Sequence, residues 1–347
     1  MILQTLLGIE LPIIQAPMAG VQGGALALAV ANAGGLGSLP CAMLSPDALR
    51  AALDHFRAAT DKPLNVNFFC HSMPEVDETR LSAWRASLAS YYQEFGLDAQ
   101  ARGGGAQRRP FDAQTAELLS EYRPEVVSFH FGLPSLELML QVKAWGAKVM
   151  STATSVAEAC WLEAHGVDVI IAQGLEAGGH RGHFLSDDLS EQSGIFALLP
   201  QIKAAVSVPV VAAGGICDAD SVRAAMALGA AGVQVGTAYL LCPEADTSEV
   251  HRRALQSEAA RHTALTSLFS GRPARGIVNR LMREFGHGPE AVPPFPLASA
   301  ALAPLRAAAE AKGRGDFSPL WCGQNASGCR AIAAADLTLQ LAEGLVG

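Results

Sequence analysis

The 347-residue chain is poor in charge and in aromatic rings: 17% of its residues are Asp, Glu, Lys or Arg, and 6% are Phe, Trp or Tyr. Its 25 basic residues are outnumbered by 33 acidic ones, giving a net charge of −8, and no run of Lys or Arg exceeds two. A charge distribution of this kind lacks the electrostatic footprint of a protein that binds nucleic acid or an anionic membrane surface, and we expect neither partner. C-x-x-C spacing is absent, and the seven cysteines lie mostly in apolar contexts, as reduced, packed thiols do in a reducing, cytoplasmic setting. The first residues lack a basic, signal-type start. The stretch most easily misread as a membrane span, Ala25 to Leu44, is broken by Asn32, by Gly34-Gly35-Leu36-Gly37-Ser38 and by Pro40. It reads as two elements around a glycine turn. Also missing are G-x-G-x-x-G, a Walker A loop and a G-x-S-x-G elbow; Gly35-x-Gly37 runs into Pro40 in place of a third glycine.

Half of the residues are apolar, too many for a disordered chain, and the 34 glycines and 19 prolines show no collagen period. Short β-type runs alternate with Ala/Leu-rich helical runs. The expected strands are 12–16, 36–39, 64–69, 126–131, 148–151, 167–172, 208–212 and 232–235. Helical patterns fill 23–32, 46–60, 135–145, 155–165, 196–205 and 218–228. Ser45-Pro46 and Asp218 read as helix starts, and Gly146, Gly166 and Gly229 as helix stops. Eight β-α units predict an α/β (β/α)8 barrel, although the alternation alone also fits a doubly wound sheet. Two segments break the rhythm. Residues 72–124 carry helices around a Gly/Arg-rich loop from Gly103 to Arg109. Residues 241–315 hold a helical run over 251–265, the polar turn Ser270-Gly271-Arg272-Pro273 and the Pro-rich loop from Pro289 to Pro296. The expected organisation is a barrel over 1–240 with a helical insertion at 72–124, a smaller helical lid over 241–315 across the C-terminal mouth, and a segment 316–347 returning to the barrel with a closing helix in 330–346.

Barrel active sites form at the C-terminal ends of strands. There the seventh strand runs into Gly214-Gly215 and the eighth into Gln234-Val235-Gly236-Thr237. Glycines after the last two strands let backbone N–H groups approach an anion, so a phosphate group is expected, on a mononucleotide or another phosphorylated ligand. The sixth strand ends in Gln173-Gly174-Leu175-Glu176-Ala177-Gly178-Gly179-His180-Arg181-Gly182. A histidine in a glycine loop at a strand end can exchange a proton beside a flat ligand. His183 lies three residues on, but no further ligand has suitable spacing, so no metal is expected. After the first strand, Ala16-Pro17-Met18 can pack its backbone against a ring system. Asn65 and Asn67 point the same way on an apolar strand, and a buried amide needs a partner. His130, between two phenylalanines, is a candidate for the same mouth.

Taken in order, PIIQAPMAG, ANAGGLGSL, NVNFF, VSFHFGLP, AQGLEAGGHRG, VPVVAAGGI, GVQVGTAYL and FSGRPARGIVNR resemble the nitronate monooxygenase family, once called 2-nitropropane dioxygenase; LWCGQ resembles its closing motif. The match runs from about residue 10 to 280. The resemblance implies a barrel that binds FMN through Ala16, Pro17, Met18, Asn67, Gln173, Gly178, Gly179, Gly214, Gly215 and the Gln234–Thr237 turn (Gln234, Val235, Gly236, Thr237). It implies His180 as the active-site base; His130 and Ser270 are candidate substrate contacts. The implied reaction is oxidation of an alkyl nitronate, or of a nitroalkane first deprotonated by His180, by molecular oxygen to a carbonyl compound and nitrite. The flavin carries the redox chemistry and the protein supplies position and proton control. Cys322 departs from the small residues associated with its position. The same scaffold also suits an FMN-dependent NAD(P)H reductase of the enoyl-acyl-carrier-protein or quinone type, or a non-catalytic flavin-binding protein. A monomer and a homodimer are both compatible with the sequence.

Overall fold

The structure, a computed structural model, describes residues 2–98, 108–286, 288 and 290–345. The glycines at 103–105 and Pro289 lie outside the described residues. The eight expected strands form close to their expected places: β1 (Ile13–Gln15), β2 (Gly37–Pro40), β3 (Leu64–Phe69), β4 (Val126–His130), β5 (Lys148–Ala153), β6 (Val169–Gln173), β7 (Val210–Ala213) and β8 (Gly232–Val235). All pair in parallel with their chain neighbours, and β8 pairs with β1. The ring closes between β1 and β2, where the Gln15 N–H donates to the Leu36 carbonyl (2.9 Å) and the Leu36 N–H to the Ile13 carbonyl (2.8 Å). The open, doubly wound alternative is thereby excluded.

Local chemistry explains the helix boundaries. Ser45 caps Pro46–Ala59 by accepting from the Ala48 N–H, and Asp218 forms a capping box with Ser221 at the start of Ala219–Ala227. Gly146, Gly166 and Gly229 take the positive φ that ends a helix. The Ala25–Leu44 stretch resolves into the helix Gly24–Asn32, a turn at Gly34 (φ 94°) and β2. No described helix is long and apolar enough to cross a membrane.

The period of two along each strand separates two environments. Outward residues such as Val66, Phe129, Ile170, Ala212 and Val235 pack against the surrounding helices. Inward residues grade from apolar to polar along the barrel axis. Ile14, Leu36, Val126, Met150, Val169 and Val211 fill the floor with Leu3 and Leu7 of the N-terminal helix Ile2–Leu7. One layer higher, Asn67, Ser128, Thr152, Gln173 and Gln234 line a cavity. The polar mouth is thus set by register: the barrel is filled at one end and open at the other.

The two long segments divide differently from expectation. Within 72–124, Ala113–Tyr122 is a barrel helix, with Ala116, Leu118 and Leu119 in the barrel core. The helices Glu78–Ser87 and Ala89–Glu94 leave the barrel, and Trp84, Tyr91 and Tyr92 pack on Leu281, Leu302, Leu305 and Phe317. The Trp84 indole donates to the Ala298 carbonyl (3.1 Å) and the Tyr92 hydroxyl to the Ala301 carbonyl (2.6 Å). One small core therefore unites both segments. The helix expected over 251–265 stops at Leu255. Ser257 caps a short 3-10 turn, and Thr263–Thr266 becomes a strand because it finds an antiparallel partner in Ala274–Ile277, a long-range pairing that local pattern does not reveal. The closing helix, Ala334–Ala342, buries Leu337 and Leu341 against the barrel.

Trp84 is fully buried. Replacing it with Ala should cost about 3–5 kcal/mol in urea unfolding followed by circular dichroism. A loss below about 1 kcal/mol would contradict the shared core.

Candidate active site

The cavity at the C-terminal mouth encloses about 1390 Å³ of space outside the atoms, counting its open entrance. Of the residues expected to form a site, Ala16, Pro17, Met18, Asn67, His130, Gln173, Gly178, Gly179, His180, Gly214, Gly215, Gln234, Gly236 and Thr237 all line it. Val235 does not. It sits one register position from Gln234, so its side chain faces the helices and is buried in the core. Asn65 shares the inward face with Asn67 but lies deeper, with its amide on Ser38 Oγ (2.9 Å).

The loop after β6 is held by a dense set of bonds. The His180 carbonyl accepts from Gln173 Nε2 (3.0 Å) and meets His130 Nε2 at 3.2 Å. A carbonyl only accepts, so Nε2 of His130 carries the proton. Its Nδ1 (3.0 Å from Thr152 Oγ1) then accepts from that hydroxyl. His130 lines the cavity, and both of its ring nitrogens are occupied by the protein, so through them it positions the loop. Burial lowers its pKa to about 3 and keeps it neutral. Gln173 Oε1 accepts the Gly182 N–H (2.8 Å), so this side chain is also committed to the loop. Beneath the loop, fully buried Arg181 donates to Gln192 Oε1 (2.8 Å) and to the Gly174 (2.7 Å) and Gln173 (2.9 Å) carbonyls. Gly179 and His180 pair with Arg275 and Ala274, which docks the barrel loop onto the second unit.

His180 therefore has a fixed backbone. Its ring sits among Phe69, Phe131, Phe295 and Trp321, with centroids 5.4–6.5 Å away. Nε2 lies 2.8 Å from Ser270 Oγ, and Nδ1 has no partner among the described residues. Ser270 is absent from the cavity wall and touches His180 from behind. Its Oγ is also 3.3 Å from the Arg272 carbonyl. A serine proton on that carbonyl leaves Oγ to accept the Nε2 proton, and Nδ1 then carries the free lone pair. Burial, followed by the charges of Arg108 and Arg272, holds the His180 pKa well below 6.5, so the imidazole is neutral.

Two guanidinium groups stand close by. Arg108 lines the cavity, donating to Ser299 Oγ (3.2 Å). Arg272 lies over the Phe131 ring (4.3 Å) and donates to the His183 carbonyl. Neither makes an ion pair among the described residues. His183 is buried, and burial lowers its pKa to about 4. No group of His, Cys, Asp or Glu among the described residues could hold a metal ion.

On the opposite wall, Gly214 (φ 118°) and Gly215 (φ 73°) use backbone conformations that favour glycine. The N–H groups of Gly215 and Gly236 donate to no protein acceptor among the described residues. Gln234 Oε1 is buried without a partner. Thr237 Oγ1 accepts the Gly323 N–H (3.0 Å), which leaves its own proton available. The Pro17-Met18 turn is fixed by Gln22, whose Oε1 accepts from the Met18 N–H (2.8 Å) and from Gln15 Nε2 (2.7 Å). This wall is a set of unspent donors and one unspent acceptor around an open space.

Sequence reasoning missed Arg108, Phe295, Trp321 and Asn325, which also line or border the cavity. Arg108 lay in the Gly/Arg-rich loop and Trp321 in the LWCGQ motif, so each carried a signal, but neither signal pointed to the mouth.

The family model for nitronate monooxygenase matches residues 1–344. A nitronate monooxygenase of Paraburkholderia phytofirmans is 44% identical over 340 residues, covering 97% of this chain and 92% of the relative. One of Pseudomonas aeruginosa is also 44% identical, covering 99% and 98%. Among solved structures, a nitroalkane oxidase from Streptomyces ansochromogenes superposes with a TM-score of 0.89 at 37% identity, covering 99% of this chain and 97% of that one. FabK from Thermotoga maritima has a TM-score of 0.71 at 26% identity, covering 99% and 94%. The chain belongs to the nitronate monooxygenase family and is an oxidoreductase that oxidises nitronates or nitroalkanes.

Proposed function

We propose that the cavity holds FMN and that His180 governs the proton chemistry of an alkyl nitronate or its parent nitroalkane in front of it. The observation that carries this reading is a neutral imidazole with one nitrogen oriented by Ser270 and the other unpartnered, on the rim of a cavity whose far wall offers unspent N–H donors. The unpaired N–H groups of Gly215 and Gly236 and the Thr237 hydroxyl suit a phosphate, and the orphaned Gln234 carbonyl oxygen suits a polar donor on the same ligand. Pro17, Met18 and Asn67 supply the remaining wall for a flat ring system. FMN held there would supply the redox chemistry by which a nitronate and molecular oxygen give a carbonyl compound and nitrite.

The protein's own part is electrostatic and geometric. For a neutral nitroalkane, His180 Nδ1 takes the α-proton, and the resulting imidazolium faces the anionic nitronate. Ser270 fixes the tautomer. Arg108 and Arg272, without carboxylate partners among the described residues, favour an anion in the cavity. Phe69, Phe131, Phe295 and Trp321 surround His180 and limit its access to water. The second unit, with Phe295 beside the His180 ring, borders the substrate side of the mouth, and its Ser270 supports that ring from behind. Seven free cysteines support a cytoplasmic setting.

His180→Ala should keep the yellow cofactor and lose about 10²–10⁴-fold in turnover of neutral nitroalkanes, with a smaller loss on preformed nitronates. Unchanged nitroalkane turnover would remove His180 from the reaction. Gly215→Asp should yield colourless protein, because a carboxylate would stand in the phosphate cradle; retained colour would refute that placement. Acid protonates His180 only after pH falls through its depressed pKa. The kcat/KM for a neutral nitroalkane should therefore stay flat from about pH 8 to 6.5, with its acid limb lower still. An acid limb centred at about pH 7 or above would contradict a neutral, desolvated base.

A further inference from the structure

After the second unit the chain returns across the barrel mouth, and residues 321–329 are stitched to all three glycine turns that form the cavity. The Gln324 N–H donates to the Glu176 carbonyl (2.9 Å) in the turn after β6. Asn325 Nδ2 donates to the Gly215 carbonyl (3.0 Å) after β7. The Gly323 N–H donates to Thr237 Oγ1 (3.0 Å), and Cys329 Sγ lies 3.0 Å from the Thr237 carbonyl, after β8. The approach is close enough to exclude side chains. A Cβ at Gly178 would stand 2.6 Å from the Gly323 nitrogen, and one at Gly323 would stand 2.8 Å from the Glu176 carbonyl oxygen. This strap is a wall of the cavity: Gly323 and Asn325 both line it.

The orientation of the Asn325 amide is determined by its neighbours. Oδ1 accepts from the Ser327 N–H (3.2 Å) and the Ser327 hydroxyl (2.7 Å), so the amide nitrogen must be the atom that faces Gly215. An amide nitrogen has two hydrogens. One is used on the Gly215 carbonyl, and the other has no acceptor among the described residues. Among the described residues that line the cavity, Arg108 is the one Lys or Arg, and its contacts, Ser299 and Phe295, belong to the substrate side. The cradle of Gly215, Gly236 and Thr237 thus contains only neutral donors.

We propose that Asn325 is a phosphate-binding residue of the cofactor site, and that its strap forms a third side of the cradle, giving a neutral amide donor where a cation is absent. The inference rests on the reading of that cradle as the phosphate site of FMN. It assigns the last part of the chain a direct role in cofactor recognition. It also makes discrimination between a phosphorylated flavin and riboflavin depend on a residue far in sequence from the glycine turns.

The test is the Kd of the full chain for FMN and for riboflavin, measured by flavin fluorescence, in the parent protein and in Asn325→Ala, Asn325→Asp and Ser327→Ala. The parent should prefer FMN by about a hundredfold or more. Asn325→Ala should reduce that preference by about tenfold, and Asn325→Asp, which turns a carboxylate toward the phosphate, by more. Ser327→Ala, which releases the amide to rotate, should reduce it by a smaller factor. Riboflavin affinity should stay within about twofold throughout. Equal losses for both flavins would show that the strap only braces the fold, and would overturn the proposal while leaving the cradle intact. A parent protein that binds both flavins equally would overturn the cradle reading itself. If the aspartate variant does not fold, the alanine and serine-site variants decide the question.

Discussion

The carbonyl of His180 is the joint on which the site depends. It is gripped from two directions, by Gln173 on β6 and His130 on β4, while Arg181 anchors the next residue beneath the loop. Because the backbone is held, the adjacent glycines can turn sharply and still present one ring at one orientation. The same joint ties the barrel to the second unit, since His180 pairs with Ala274, and the turn before that strand delivers Ser270 to the ring. Loosening the grip would disturb the ring, its serine and the docking of the second unit together.

The electrostatics follow from where this joint sits. Rings of Phe69, Phe131, Phe295 and Trp321 surround the imidazole, and two guanidinium groups without carboxylate partners lie nearby. Both effects oppose protonation. In the proposed reaction, a proton accepted from substrate would be stabilised chiefly by the anion it leaves behind. The arrangement favours a reaction in which charge is created as a pair and discourages solvent from protonating the base beforehand. The hydrogen-bond network, in turn, commits Gln173 and His130 to positioning.

Most of the barrel was legible in the sequence, for physical reasons. Its helices carry capping residues such as Ser45 and Asp218, end at glycines such as Gly146, and alternate with short β-branched runs. Residues that reach the mouth from strand ends, such as Asn67, His180 and Gly215, were legible for the same reason, since position on a barrel strand decides where a side chain goes. The errors came from register and from distance. Val235 failed because one step along a strand reverses the face. Residues 251–265 failed because a strand partner at 274–277 outweighed local helical pattern. The 72–124 segment hid a regular barrel helix, Ala113–Tyr122, behind two helices that join another core. Arg108, Trp321 and Asn325 reach the cavity from segments outside the barrel strands, and local spacing carries no information about such convergence.

The central claim is that this cavity binds a flavin and passes electrons to it from a nitronate, with reductase chemistry the competing use of the same scaffold. The most direct measurement is an anaerobic titration of the purified yellow protein, once with an alkyl nitronate and once with NADPH, following the flavin absorbance. The nitronate should bleach the flavin and NADPH should not. Bleaching by NADPH with no response to nitronate would contradict it.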